Sequence, residues 1–135
     1  NVVTECFSKY FNSNRGFVSC LGRKELIFMD LLKPIVEDSF GYDLLLQYNV
    51  KGYRIDAYIP RLNLAIEYDE NEHKHYNYTD EKIREEIIEK ELNCKFCRVT
   101  DKITNGESLS LVIKSILELK RRNPIEQDTE RTLAV

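Results

Sequence analysis

Two short runs of alternating apolar and polar residues lie close together in the middle of the chain. Alternation with a period of two is typical of strands that bury one face. Only residues 60–63 separate the runs, so the two strands are predicted to form a hairpin centred on Arg61 and Leu62. The apolar positions of the runs are Tyr53, Ile55, Ala57 and Ile59, then Leu64, Ile66 and Tyr68.

The predicted hairpin places two acidic residues opposite each other. With the turn centred on Arg61 and Leu62, Asp56 faces Glu67 across the two strands. Like charges in directly opposite positions destabilise a sheet, and without a cation their repulsion should raise the pKa of at least one of them. Either the pair belongs to a solvent-exposed polar face, or a cation binds between the carboxylates.

A third strand extends this polar row. Residues 43–50 have strand character, and the Lys-Gly pair at 51–52 is a two-residue turn signal. That turn places Gln47 beside Asp56, so the row across three strands reads Gln47, Asp56 and Glu67. The opposite face is predicted to form the core, and it collects Leu44, Leu46, Tyr48, Ile55, Ala57, Ile59, Leu64, Ile66 and Tyr68.

Helices are predicted on both sides of these strands in the sequence. One spans residues 22–38, and Pro34 is expected to kink it or to end its first part, because proline lacks the N–H that a helix needs and clashes with the previous turn. Another runs from an N-cap at Thr79 to residue 92, and a strand at 95–100 and a helix at 108–122 follow. The order helix, three antiparallel strands, helix, parallel strand, helix predicts an α/β fold with a four-stranded mixed sheet flanked by helices.

Composition fits one soluble domain. The chain has 135 residues, of which 42% are hydrophobic and 32% charged, which is enough for a single core. We expect a helical extension at residues 1–21, a main domain at residues 22–122 and a mobile tail at residues 123–135. No apolar run approaches the ~20 residues of a membrane span, so an intracellular location, cytoplasmic or nucleoid-associated, is expected. The net charge of −3 argues against a protein that coats nucleic acid but allows an enzyme that binds it locally through metal ions.

The 4 cysteines show no repeated spacing. Cys94 and Cys97 match C-x-x-C, but they lie in a predicted strand, where side chains three positions apart point to opposite faces. Buried reduced thiols are the favoured interpretation. A structural zinc site that also uses Cys6 and Cys20 is the alternative.

Carboxylates on adjacent strands are suitable ligands for a hard divalent cation. Mg²⁺ takes oxygen ligands and is usually held by one or two carboxylates together with substrate phosphate. Asp56 and Glu67 are therefore candidate ligands for Mg²⁺ or Mn²⁺. A metal ion held there would activate a water molecule for attack on a phosphodiester.

Two segments, RIDAYIP at 54–60 and AIEYDE at 65–70, are followed shortly by His73. This arrangement resembles the PD-(D/E)XK nuclease superfamily, and within it the chain is similar to very-short-patch-repair-like and phage homing-type endonucleases. The resemblance extends from Lys24 to Glu118. It implies a restriction-endonuclease-like core in the main domain and the activity of a Mg²⁺-dependent endodeoxyribonuclease, a hydrolase that cleaves DNA.

The resemblance also implies roles for individual residues. Asp56 and Glu67 match the acidic pair that binds the metal ion in that family. Glu25 best matches its helical glutamate, which lies ahead of the strands. Gln47 falls where a polar residue often joins the active site.

The lysine of the family motif is absent, because Asp69 occupies its position. An aspartate cannot stabilise developing negative charge, so Asp69 is expected near the attacking water or the leaving group. His73 is expected to act beside it as a general acid or base. Lys74, His75 and Arg84 are candidates for the missing positive charge.

DNA is the expected partner. Lys74, Tyr76 and Tyr78 are candidates for contacts with phosphates and bases. Cleavage of both strands of a duplex would require two sites, and hence a homodimer or sequential nicking. The alternative is a catalytically inactive nuclease-like domain that binds DNA or a protein within a larger phage or viral protein. The missing lysine and the acidic balance favour that alternative.

Overall fold

The four strands form one mixed sheet whose spatial order follows their order along the chain. The first two strand pairs are antiparallel and the last pair is parallel. The predicted α/β class and the four-stranded mixed sheet are therefore confirmed. No helix among the described residues is long and apolar enough to cross a membrane.

The computed structural model describes residues 22–70 and 78–122. The predicted helical extension and the predicted tail lie outside these residues. The first α-helix ends at Pro34, which was one of the two predicted effects of this proline, and a π-helical turn follows it. The elements are α1 (Arg23–Pro34), β1 (Leu45–Val50), β2 (Tyr53–Ile59), β3 (Leu64–Asp69), α2 (Tyr78–Leu92), β4 (Lys95–Thr100) and α3 (Asn105–Arg122).

Two tight turns set the register of the first three strands. Lys51 and Gly52 have φ angles of 52° and 85°, as a type I′ hairpin turn requires. The Gly52 N–H donates to Asn49 Oδ1 at 3.1 Å. Between β2 and β3, a 3-10 turn at Pro60–Leu62 leads into Asn63, whose φ is 49°.

The register confirms the predicted polar row. Ala57 pairs with Ile66 across β2 and β3, so the preceding residue of β2, Asp56, is aligned with Glu67. The pairs on either side of Gln47 align that residue with Asp56 in the same way. Three polar side chains therefore follow one another across β1, β2 and β3.

Helices cover both faces of the sheet, which corrects the prediction of a single core face. Ile66 belongs to a first buried cluster, to which α1 and α3 contribute. Ala65 belongs to a second cluster, to which α2 contributes Ile88. Tyr48 and Ile55 were predicted in the first cluster, but they pack in the second.

β1 is distorted at Gln47, where Leu46 and Tyr48 come to lie in different clusters. The φ of 51° at Gln47 lies in the left-handed region, which costs about 1 kcal/mol for a residue other than glycine. Leu46 packs against the first cluster and Tyr48 against the second, and the same change occurs between Ala57 and Ile55 in β2. A regular strand would keep residues two positions apart on one face.

Cys94 and Cys97 are buried free thiols, as the favoured interpretation predicts. Cys97 lies in the first cluster and Cys94 in the second, so the C-x-x-C pair is divided between the two faces of the sheet. Cys6 and Cys20 lie outside the described residues, and the zinc alternative that involves them stays a prediction.

Two helices begin earlier than predicted. Thr79 lies inside the first turn of α2 and is not its N-cap. In α3, Thr104 and Glu107 form a capping box before the predicted start at Ser108. The Glu107 N–H donates to Thr104 Oγ1 at 3.1 Å, and the Thr104 N–H donates to Glu107 Oε1 at 3.2 Å. The T-x-x-E spacing is visible in the sequence and would have located this helix start.

Replacement of Thr104 by alanine is expected to lower the free energy of unfolding by about 1 kcal/mol, because the first turn of α3 loses its cap. Urea denaturation of the variant and the wild type measures the difference. Ser110→Ala, at an exposed position of the same helix, is the control. Equal stabilities of the wild type and Thr104→Ala would show that the cap contributes nothing.

Candidate functional site

Two buried carboxyl groups and a partly buried one meet where α1 reaches the sheet. Glu25 lies in the first turn of α1, Asp56 on β2 and Glu67 on β3. Glu25 and Glu67 are only 8% and 5% exposed. All three carboxyls line the same cleft, and the Asp56 carboxyl is close enough to both glutamates to affect their pKa values. Asp56 and Glu67 were predicted to lie on the same side of the sheet, and Glu25 to point towards Asp56. Both arrangements are confirmed.

Each of these carboxyl groups also accepts a hydrogen bond from a nitrogen donor. The three donors come from different strands and helices, so they fix the carboxyls relative to the whole fold. The contacts are Gln47 Nε2 to Glu25 Oε2 at 2.9 Å, the Tyr68 N–H to Asp56 Oδ2 at 2.8 Å and Arg84 Nη2 to Glu67 Oε1 at 2.6 Å.

The start of α1 is held against the ends of β3 and β4. The Glu25 N–H donates to Glu70 Oε1 at 3.1 Å, which satisfies a donor that the helix itself leaves unpaired. Gly22 makes room for this contact, because a Cβ there would lie 2.0 Å from Glu70 Oε1. Lys24 Nζ lies 3.0 Å from Asp101 Oδ2. Together these contacts direct Glu25 towards the sheet.

A guanidinium group on β4 joins the site, although the sequence did not single it out. Parallel pairing aligns Arg98 with Glu67. Its Nε donates to Glu85 Oε1 at 2.9 Å, and its Nη1 lies 3.8 Å from Asp69 Oδ2. Its Nη2 lies 3.6 Å from Glu81 Oε1. The only signal in the sequence was an arginine among the apolar residues of a predicted strand.

The three central carboxyls, with Arg84 and Arg98, line an open cleft that has a volume of about 320 Å³. Acidic groups outnumber basic ones among its described lining residues, so the cleft favours cations. The ionisable lining residues are Glu25, Asp56, Glu67, Asp69, Glu70 and Glu81 with Arg84 and Arg98.

Burial raises the pKa of each carboxyl in the central cluster. The pKa of Glu25 rises to about 7 through burial and the charges of Glu70 and Glu67. That of Asp56 rises to about 7 through burial and Glu25. The pKa of Glu67 rises to about 8 through burial and Asp56, although Arg84 acts in the opposite direction. A rise was predicted from charge repulsion, but burial is its larger cause.

The other predicted residues have different surroundings. Gln47 and Arg84 contact the carboxyl cluster directly. Asp69 lines the cleft. Tyr78 is 79% exposed at the start of α2. Four further predicted residues lie outside the described part of the chain: His73, Lys74, His75 and Tyr76.

Comparison of the chain with protein-family models, curated proteins and solved structures found no match. Within residues 22–70 and 78–122, no three His, Cys, Asp or Glu side chains are already arranged as a set of metal ligands. Glu25 and Glu67 are instead each turned towards a protein donor.

The stability of the metal-free protein is expected to fall as the pH rises from about 5 to about 8. The folded-state pKa values of Glu25, Asp56 and Glu67 lie above their ordinary values, so the folded state binds more protons than the unfolded state in this range. Proton binding by these groups stabilises the folded state fully at acid pH. As the pH rises through the folded pKa values this stabilisation is lost, and the free energy of unfolding falls by ~2 kcal/mol or more.

Thermal unfolding of the metal-free protein in EDTA across this pH range measures the effect. Asp56→Asn should flatten the profile, because it removes one of the groups that take up a proton. Glu86→Gln removes an exposed carboxylate from α2 and should leave the profile unchanged. A wild-type melting temperature that stays constant or rises between the two pH values would contradict the expectation.

Proposed function

We propose that this protein is a metal-dependent endonuclease that hydrolyses DNA phosphodiester bonds on a restriction-endonuclease-like core. The observation that carries the proposal is the meeting of the buried Glu25 and Glu67 with the partly buried Asp56 at the wall of an open cleft. Burial of neighbouring carboxylates is costly unless a positive charge or protons compensate for it. A chain that keeps three of them together is suited to binding a cation.

The order of the elements supports the proposal. A helix precedes an antiparallel β1–β2–β3 meander, and α2 then leads to β4 parallel to β3. This is the order of the family core that the sequence resembles. Asp56 on β2 and Glu67 on β3 occupy the strands that carry the acidic pair in that family, with Glu25 on the preceding helix.

The chemistry of the site fits a hard divalent cation. All three central side chains offer oxygen atoms, which Mg²⁺ and Mn²⁺ prefer. Asp56 and Glu67 would hold the ion, with Glu25 beside them. When bound, the ion would polarise the scissile phosphate and lower the pKa of an attacking water. To bind it, Glu67 would have to loosen its contact with Arg84, and the cluster would have to release its protons.

The surrounding residues of the chain would orient these ligands. Arg84 contacts Glu67, and Gln47 contacts Glu25, so both carboxylates have defined positions before the ion binds. Asp69 lines the cleft and would accept a hydrogen bond from the attacking water. His73 remains the candidate for general acid or base, outside the described residues.

The charge of the cleft makes DNA binding depend on the cation. Six carboxyl side chains and two guanidinium groups line the described part of the cleft, so a DNA phosphate would be repelled from the metal-free protein. Bound cations would neutralise this wall. We therefore expect DNA to bind in the cleft only when Mg²⁺, Mn²⁺ or Ca²⁺ is present.

A nuclease-like domain that binds DNA or a protein without cleaving it is the second candidate. Asp69 stands in the position of the motif lysine, and Glu67 is paired with Arg84 at 2.6 Å. Both features would suit a site that has lost catalysis. Cleavage with Mg²⁺ or Mn²⁺ separates the two functions.

Millimolar Mg²⁺ or Mn²⁺ is expected to raise the melting temperature of the wild type, because a ligand that binds only the folded state stabilises it. The gain is about 2.7 kcal/mol at a hundredfold excess over the dissociation constant. Asp56→Ala should lose this gain, and Glu86→Gln should keep it. Thermal scans with metal and with EDTA measure the response. An equal response in the wild type and Asp56→Ala would mean that the ion binds elsewhere.

Cleavage of plasmid and oligonucleotide DNA tests the activity itself. The wild type should cut with Mg²⁺ or Mn²⁺ and not with EDTA. Asp56→Asn and Glu67→Gln should lower the rate at least ~100-fold, since even residues that only support metal ligands cost 10–100-fold. Glu86→Gln should cut as fast as the wild type. Equal rates in all four proteins would point to a contaminating nuclease and refute the assignment.

A further inference from the structure

We propose that Arg98 binds the phosphate group of the DNA substrate and supplies the positive charge that Asp69 cannot. The inference rests on the proposed function, because it concerns the same cleft. It goes beyond that function by assigning the charge to a residue on β4, outside the two strands that carry the acidic pair.

Strand pairing brings Arg98 to the acidic pair. β4 runs parallel to β3, and the register aligns Arg98 with Glu67 and Thr100 with Asp69. Arg98 Nη1 lies 3.8 Å from Asp69 Oδ2. A guanidinium group therefore lies directly beside the side chain that replaces the motif lysine.

Arg84 is less suited to this task, although the sequence suggested it. Its Nη2 donates to Glu67 and to the backbone carbonyl of Arg54, and its Nη1 donates to Glu81 at 3.1 Å. Its side chain is only 16% exposed. A substrate phosphate would have to displace these contacts, so Arg84 is better described as the residue that positions Glu67.

Arg98 is more accessible and has a terminal nitrogen facing the cleft. Its side chain is 33% exposed. The 3.8 Å separation between Nη1 and Asp69 is an ion-pair distance that is too long for a hydrogen bond. This nitrogen can approach a phosphate oxygen without breaking a hydrogen bond to Asp69.

Glu85 orients the guanidinium group from the opposite side. Glu85 Oε1 accepts hydrogen bonds from both Nε and Nη2 of Arg98. Because the guanidinium group is planar, holding these two nitrogens turns the third, Nη1, towards Asp69 and the cleft. Glu85 is thus a positioning residue. Glu85→Ala is the matched variant, because it removes the contact between Arg98 and Glu85 but leaves the guanidinium group in place.

Binding measured at several salt concentrations provides the test. The probe is a fluorescein-labelled DNA duplex of mixed sequence in Ca²⁺, followed by anisotropy, and cleavage is measured separately in Mg²⁺. Loss of one phosphate contact reduces the slope of log K against log salt by about 0.9. We expect this reduction in Arg98→Ala and little change in Arg98→Lys, which keeps the charge. We expect Glu85→Ala to keep the slope, because the charge of Arg98 remains, and to lower the affinity at each salt concentration, because Nη1 is no longer held towards the cleft.

Melting temperatures measured beside the binding data separate folding from recognition. If Arg98 only joined β4 to α2, Arg98→Ala and Glu85→Ala would lose the same stability and show the same binding, which would overturn the proposal. Should Arg98→Ala fail to fold, Arg98→Gln, which keeps most of the side-chain volume without the charge, is compared with Arg98→Lys. Equal slopes in those two variants would also overturn it.

The outcomes distinguish this proposal from the proposed function. Wild-type binding and cleavage with an unchanged slope in Arg98→Ala would refute the role of Arg98 alone. Wild-type binding without cleavage, but with the reduced slope in Arg98→Ala, would refute the nuclease assignment and support Arg98 as a phosphate contact. A wild type that binds no DNA in Ca²⁺ would overturn both.

Discussion

The fold depends on three neighbouring carboxyl groups, two of them buried and one partly buried. Glu25, Asp56 and Glu67 would repel each other strongly in a dry interior, so each needs a donor and the group needs protons or a cation. The donors are an amide from β1, a backbone N–H from β3 and a guanidinium group from α2. Every layer of the domain is therefore tied to the same small cluster.

The polar row could be predicted because short turns determine antiparallel register. The Lys-Gly turn at 51–52 and the segment 60–63 leave little choice of pairing, so the alignment of Gln47, Asp56 and Glu67 follows from counting residues. The class of the fold follows from the order of alternating and helical patterns. Both depend on residues that lie close together in the sequence, so both could be predicted from it.

Features that depend on long-range packing could not be predicted in this way. A helix, not a tight turn, connects β3 to β4, so counting residues does not give the register of these two strands. The position of Arg98 beside Glu67 therefore could not be predicted. The left-handed φ of Gln47 breaks the alternation of β1, so Tyr48 does not share the cluster of Leu46. A prediction from alternation assumes a regular strand, and β1 is irregular at Gln47.

The contacts that hold Glu25 join distant parts of the chain, and this has a consequence for the order of assembly. Its N–H meets Glu70 across 45 positions, and the neighbouring Lys24 meets Asp101 across 77, whereas Asp56 and Tyr68 are only 12 apart. Closing longer loops costs more entropy, so long-range contacts tend to form later. We expect the hairpin to bring its two acidic residues together first, in water, and α1 to dock on them afterwards. The helix, more than the strands, then controls when water leaves the site.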